Sequence, residues 1–229
     1  MLEPFAYTDD QAALSGLIAR PRGTPRAAVV VYPTIMNVTP VVEAKALALA
    51  EAGYITLIAD FYAEPPSDMA HSRALATALR ADVDAYRTRL KAAIDALAAA
   101  SPGVPLVTIG FCMGGQASLE MARINAPIVL AASFHGLLDT ARPASERIVP
   151  RILVCHGDAD PLVPRAQVTA FWEEMDRAEA NWHFHAYSRV RHGFTNPTPP
   201  GDNPAVAYDA SANRQSWAAL LSLLDEILN

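Results

Sequence analysis

Cysteine is scarce in this chain. Its 229 residues hold two, Cys112 and Cys155. Two cysteines cannot build a disulfide framework, so a hydrophobic core must carry the fold. Basic charge is sparse and scattered as well. The 18 Lys and Arg form no run, and 24 Asp and Glu outnumber them for a net charge of −6. Neither nucleic acid nor an anionic membrane is therefore expected as a partner. No apolar stretch is long enough to span a bilayer. The start, Met1-Leu2-Glu3-Pro4, lacks the basic and apolar regions of a secretory signal, so the expected setting is a reducing cytoplasm. Internal repeats and low-complexity segments are missing, which excludes solenoid architectures.

What is present is apolar. The hydrophobic fraction of 52% is enough for one α/β domain over 1–229 with both sheet faces covered. Leu2 to Tyr7 and Leu14 to Ala19 read as short strands around the Asp9-Asp10 turn. Ala27 to Tyr32 is a continuous apolar strand of the kind buried in parallel sheets. Thr39-Pro40 opens a helix, cap then proline, that stops at Gly53. Tyr54 to Ala59 is the next strand. Leu75, Leu79, Val83, Tyr86, Leu90, Ile94 and Leu97 recur at helical spacing, and no Gly or Pro interrupts Asp68 to Ser101. That stretch is one long helix or two abutting ones. Strands follow at Val104 to Ile109, Ile128 to Phe134, Arg151 to His156 and Trp182 to Tyr187. Helices are expected over Gln116 to Ile124, over Gln167 to Ala178, and over Ser211 to Leu228 with Trp217, Leu220, Leu221, Leu224 and Leu228 inward. The alternation predicts a doubly wound, mostly parallel sheet with helices on both faces. Ligands in such sheets bind at the carboxyl ends of strands.

At one of those ends stands Gly110-Phe111-Cys112-Met113-Gly114. It fits the Gly-x-nucleophile-x-Gly elbow of α/β-hydrolases, with cysteine in the usual serine's place. A strand turning straight into a helix strains the nucleophile's backbone, and the flanking glycines avoid clashes there. The helix N-terminus favours the thiolate. Cys155 lies within an apolar strand and reads as core. A strand separates it from Cys112, which puts the two about 9–10 Å apart, beyond disulfide reach.

An elbow nucleophile needs a base and an acid, in the chain order nucleophile, acid, histidine. His156-Gly157-Asp158-Ala159-Asp160-Pro161 and Arg191-His192-Gly193-Phe194 follow at strand ends. Asp160 is the candidate acid and His192 the candidate base. Asp158 is the competitor, set in a tight turn where Asp commonly bonds its own backbone. His135 follows a strand end, a place either to line the site or to pack. His156 reads as a hydrogen-bonded structural residue. His183 and His185 read as a surface pair, with no third ligand at metal-binding spacing. His71 has no informative context.

The ordered set resembles the dienelactone hydrolase family of α/β-hydrolases over nearly the whole chain. The resemblance rests on Gly110 to Gly115, Ile58-Ala59-Asp60-Phe61-Tyr62, Gly157 to Pro161 and His192-Gly193-Phe194. It implies a carboxylic ester hydrolase with a Cys112–His192–Asp160 triad and no cofactor or metal, acting on a small ester, lactone or thioester through a thioester acyl-enzyme. It also implies an oxyanion hole from the N–H groups of Met113 and Ile35. Thr34, Tyr62, His135 and Phe194 are the candidate substrate contacts. Two positions depart from the family. Thr34 stands where a glutamate contacts the resting thiol, and Asn196 where an arginine anchors the substrate carboxylate. The native substrate is therefore not expected to be dienelactone itself. A monomer or small homo-oligomer is expected. Two other classes stay open: a redox-responsive cysteine protein, and a catalytically silent ligand-binding member of the same fold.

Overall fold

A computed structural model describes residues 1–198 and 203–229. The described residues form eight strands: β1 (Leu2–Thr8), β2 (Ala13–Ala19), β3 (Ala28–Tyr32), β4 (Ile55–Ile58), β5 (Leu106–Phe111), β6 (Leu130–Phe134), β7 (Arg151–Gly157) and β8 (Trp182–Tyr187). The helices are α1 (Pro40–Glu51), α2 (Met69–Arg80), α3 (Val83–Ala100), α4 (Met113–Arg123), α5 (Arg165–Arg177) and α6 (Ala210–Leu228). The strands make one mostly parallel sheet in the order β1-β2-β4-β3-β5-β6-β7-β8. The chain parts into two compact units, Met1–Ile109 and Gly110–Asn229.

In the first unit, β1 and β2 form an antiparallel hairpin, β2 pairs antiparallel with β4, and β3 pairs parallel with β4. All five residues of β3 and all four of β4 are buried, as continuous apolar runs require. Thr39 caps α1, its side chain accepting from the Val42 N–H at 3.5 Å. The Asp68 to Ser101 stretch is two helices. Asp82 breaks it by taking extended backbone angles and accepting from the N–H groups of Asp84 and Ala85 at 2.8 and 3.2 Å. A short carboxylate side chain competes with the helix for backbone donors and so serves as an N-cap. One stripe of α3, containing Tyr86, Leu90, Ile94 and Leu97, is buried. The phenol of Tyr32 donates to the Leu90 carbonyl at 2.7 Å.

In the second unit, β6, β7 and β8 pair in parallel. Every residue of α4 is buried. At its C-terminal end the Arg123 guanidinium is held by Glu120 at 3.1 Å, by Glu174 of α5 at 2.8 Å and by the Leu138 carbonyl at 3.0 Å. α4 begins at Met113, three residues before the expected start. Gly114 and Gly115 are poor helix formers, but contact decides here. A Cβ on Gly115 would lie 2.5 Å from Ser133 Oγ and 2.7 Å from Gly136 Cα, so close packing against the end of β6 requires glycine inside the helix. In α6 the buried stripe is Ala212, Ser216, Leu220, Leu223 and Leu224. Trp217, Leu221 and Leu228, expected inward, are only half-buried. Both cysteines are free thiols; Cys112 follows β5 and Cys155 lies within β7, with β6 between the two strands.

Candidate active site

The elbow is strained as its sequence requires. Cys112 has φ 57° and ψ −119°, a conformation costly for a residue with a side chain. A Cβ on Gly110 would lie 1.8 Å from the Gly114 carbonyl oxygen, so only glycine permits so tight a turn. The Cys112 N–H donates to the Phe134 carbonyl at 3.1 Å, which anchors the elbow's backbone to β6. Its side chain makes no capping bond to α4 and is partly exposed.

The candidate acid and base come from two other strand ends of the same unit. Asp160 follows β7 and is 4% exposed; His192 follows β8 and is also 4% exposed. Asp160 Oδ2 lies 2.6 Å from His192 Nδ1. Asp160 Oδ1 accepts from the Leu162 N–H at 2.8 Å, which fixes the carboxylate. Asp158 is turned away. It pairs with exposed Arg165 at 2.7 Å rather than bonding its own turn. Of the two aspartates, the structure brings Asp160 to the histidine.

The remaining His192 nitrogen, Nε2, is buried without a regular hydrogen bond among the described residues. The Cys112 thiol lies close enough that the two groups shift each other's ionisation. Burial pushes the thiol up, but the His192 imidazole and the Met113 N–H outweigh it, and the net shift is below the ordinary thiol value. For His192, burial works against the charged form, yet the Cys112 thiol and the Asp160 carboxylate raise it to about 10. Each shift favours a thiolate–imidazolium pair at neutral pH. Cys155 behaves oppositely. Burial pushes its thiol up to about 12, and Tyr187 Oη is its neighbour at 3.9 Å.

His192 is held by backbone on both sides. Its N–H donates to the Ala205 carbonyl at 3.1 Å, and its carbonyl accepts from the Ala207 N–H at 3.1 Å. Arg191 Nη1 donates to the Pro204 carbonyl at 2.7 Å. Sequence reasoning missed this strap, because pairing between two irregular segments leaves no periodic pattern. It also missed Thr195, whose Oγ1 lies 2.8 Å from His135 Nε2.

The candidate substrate contacts differ in placement. His135 and Phe194 are buried, 2% and 0% exposed. Their rings meet edge to face at 5.2 Å, which gives both a packing role behind the base. His156, expected as a hydrogen-bonded structural residue, is buried, and its Nδ1 has no hydrogen-bond partner among the described residues. His183 and His185 are exposed on β8.

Thr34, Ile35 and Tyr62 lie in the first unit. Thr34 Oγ1 accepts from the Met36 N–H at 3.3 Å, so its hydroxyl serves its own turn. Tyr62 Oη donates to the Ile35 carbonyl at 3.1 Å. Asp60 organises the two loops. Its Oδ1 accepts from Asn37 Nδ2 at 2.9 Å and from the Tyr62 N–H at 3.0 Å, and its Oδ2 accepts from the Ser15 N–H at 3.0 Å.

A mostly parallel sheet, an elbow after β5, a buried aspartate after β7 and a buried histidine after β8 are the arrangement of an α/β-hydrolase. The model of the dienelactone hydrolase family matches residues 14–228, and the chain belongs to that family. The solved dienelactone hydrolase-like promiscuous phosphotriesterase P91, from metagenomic libraries, is 33% identical. It superposes with a TM-score of 0.91, covering 99% of this chain and 98% of that one. A probable 2-oxo-3-(5-oxofuran-2-ylidene)propanoate lactonase of Bradyrhizobium sp is 27% identical over 216 residues, 86% of this chain and 85% of that protein. The uncharacterized protein K02A2.1 of Caenorhabditis elegans is 37% identical over 150 residues, 61% of this chain and 92% of that protein. Ester or lactone hydrolysis in the general sense is the activity that this membership supports.

Proposed function

We propose that this protein hydrolyses a small ester, lactone or thioester through a thioester on Cys112. The Cys112 thiolate attacks the carbonyl carbon. The His192 imidazolium gives its Nε2 proton to the leaving group as the acyl–oxygen or acyl–sulfur bond breaks. Water then attacks the thioester, His192 takes its proton, and the thiolate departs. Asp160 holds the imidazole and stabilises its charged form. Met113 supplies one oxyanion donor, and Ile35 is the candidate for the second by resemblance to the family. The family match over 14–228 supports treating 1–229 as one functional domain.

The observation that carries this reading is the 2.6 Å contact between Asp160 Oδ2 and His192 Nδ1, with the thiol coupled to the same imidazole. The test is turnover of p-nitrophenyl acetate with and without iodoacetamide. Alkylation confined to Cys112 should abolish turnover, and mass spectrometry should catch an acetylated Cys112 peptide. Full activity of the alkylated protein would refute the mechanism. Absence of turnover on lactones, aryl esters and thioesters would favour a silent or redox-responsive member. A second substrate class has specific support, since a neighbour 33% identical is described as a promiscuous phosphotriesterase. An aryl phosphotriester has an electrophilic centre and a good leaving group, so it belongs in the same screen.

A further inference from the structure

His135 was a candidate substrate contact, yet its surroundings assign it a different task. Its backbone has φ 41°, a left-handed conformation that a side-chain-bearing residue adopts only when its surroundings enforce it. Two backbone bonds enforce it here. The His135 N–H donates to the Cys155 carbonyl at 2.8 Å, and the preceding Phe134 carbonyl accepts from the Cys112 N–H at 3.1 Å. The residue is thus fixed to β7 on one side and to the nucleophile's own backbone on the other.

The side chain reaches toward the base. The His135 ring meets the His192 ring edge to face, with centroids 5.2 Å apart and planes at 69°. Its Nε2 lies 2.8 Å from Thr195 Oγ1, three residues beyond His192 and 3% exposed. The intervening turn is closed by the Asn196 N–H donating to the Gly193 carbonyl at 2.9 Å. A phenylalanine would fill the same space without bringing a polar ring out of water. Burying an imidazole is favourable only when its polar atoms find partners, and Thr195 provides one. A hydrogen bond adds direction that ring packing lacks.

We propose that His135 and Thr195 form a positioning pair that ties the His192 loop to the end of β6, and so sets the imidazole against the Cys112 thiol. The proposal rests on reading Cys112 and His192 as nucleophile and base. Neither His135 nor Thr195 exchanges a proton with substrate; they act through His192. Misplacement of a catalytic group by about 1 Å lowers rates on the order of a hundredfold, so this pair should influence kcat rather than binding.

The test uses Thr195→Val, Thr195→Ser and His135→Phe. Thr195→Val keeps the shape and removes the hydroxyl; Thr195→Ser keeps the hydroxyl. Three quantities are measured: kcat and KM on p-nitrophenyl acetate, melting temperature, and the pH dependence of Cys112 alkylation by iodoacetamide, followed by peptide mapping. In Thr195→Val, kcat should fall about ten- to a hundredfold with KM within about twofold. Its alkylation midpoint should move up toward the ordinary thiol range. Thr195→Ser should restore both. Wild-type kcat and alkylation in folded Thr195→Val would overturn the proposal, and so would a change confined to KM. If His135→Phe does not fold, the two Thr195 variants still decide. If the wild-type protein turns over nothing, the hydrolase reading fails separately. The alkylation profile then decides alone, a shift in Thr195→Val supporting the positioning role and an unshifted profile refuting it.

Discussion

At the residue scale, two thiols in one unit meet opposite environments. Cys112 sits at the start of α4 beside an imidazole, and its ionisation is eased. Cys155 is enclosed in β7 and its thiol is pushed up to about 12. Brief iodoacetamide treatment at neutral pH should therefore label Cys112 well before Cys155, since the thiolate is the reactive form. Peptide mapping reads this directly, and preferential labelling of Cys155 would remove Cys112 as nucleophile. The same shifts set the pH profile. Activity should rise with pH as the thiol ionises, below the ordinary thiol range. It should fall again as His192 loses its proton near pH 10, because the imidazolium is the acid for the leaving group. A profile with its acid limb at the ordinary thiol value would contradict the pairing. The two aspartates separate by the same logic. Asp160→Asn should lower kcat by about 10²–10⁴ with the fold retained, by analogy with other triad acids. Asp158→Asn should leave kcat near wild type, because its carboxylate faces Arg165 on the surface. Collapse of activity in the Asp158 variant alone would reverse the assignment.

At the element scale, α4 follows directly on the candidate nucleophile Cys112 and is anchored at both ends. Its first turn presses Gly115 against the end of β6, and its last turn buries Arg123 between two glutamates. Removing Glu174 would leave the buried guanidinium with Glu120 as its one carboxylate, and breaking a buried ion pair typically costs up to about 3–5 kcal/mol. Glu174→Ala should therefore lower the melting temperature strongly, measured by calorimetry at neutral pH. The Glu174 carboxyl also gives this contact a pH dependence. Burial raises its pKa, but the Arg123 bond outweighs burial and holds it below the ordinary glutamate value. A depressed folded-state pKa stabilises the protein above the unfolded value. That contribution should be lost as the pH falls through the lowered value, and Glu174→Ala should flatten this part of the acid-unfolding curve. A stability–pH curve unchanged by the substitution would mean that the ion pair contributes nothing net.

At the scale of the whole molecule, the charge balance bears on substrate choice. The chain carries a net charge of −6. In the resemblance read from the sequence, Asn196 stands in place of the family's arginine. Arg191, the cation next to the base in sequence, has its Nη1 committed to the Pro204 carbonyl. A charge-assisted bond to a substrate carboxylate contributes roughly 1.5–3 kcal/mol. Its loss is worth about ten- to a hundredfold in kcat/KM when the bond persists into the transition state. A carboxylated lactone should therefore show no advantage over its neutral methyl ester. A clear preference for the carboxylated form would mean that another cation has taken over the anchor.

The sequence by itself determined the order of strands and helices and the elbow, and it offered Cys112, Asp160 and His192 as candidates in chain order, because these depend on local pattern. Continuous apolar runs read as buried strands, and Gly110-Phe111-Cys112-Met113-Gly114 reads as a turn that other residues could not make. Asp82 was less legible: a cap within a stretch free of Gly and Pro carries a weak signal, so one helix or two remained open. The tertiary structure decided what depends on residues far apart in the chain. It chose Asp160 over Asp158 by burying one beside His192 and leaving the other to Arg165. It began α4 at Met113 because packing against Ser133 and Gly136 overrides the low helix propensity of glycine. It placed Leu223 in the core in preference to Trp217, Leu221 and Leu228, since helical periodicity defines a face only to within a residue or two. It joined His135 to Thr195, sixty residues apart. A single hydrogen bond across that separation has no period and no motif, so only the folded chain can bring it about.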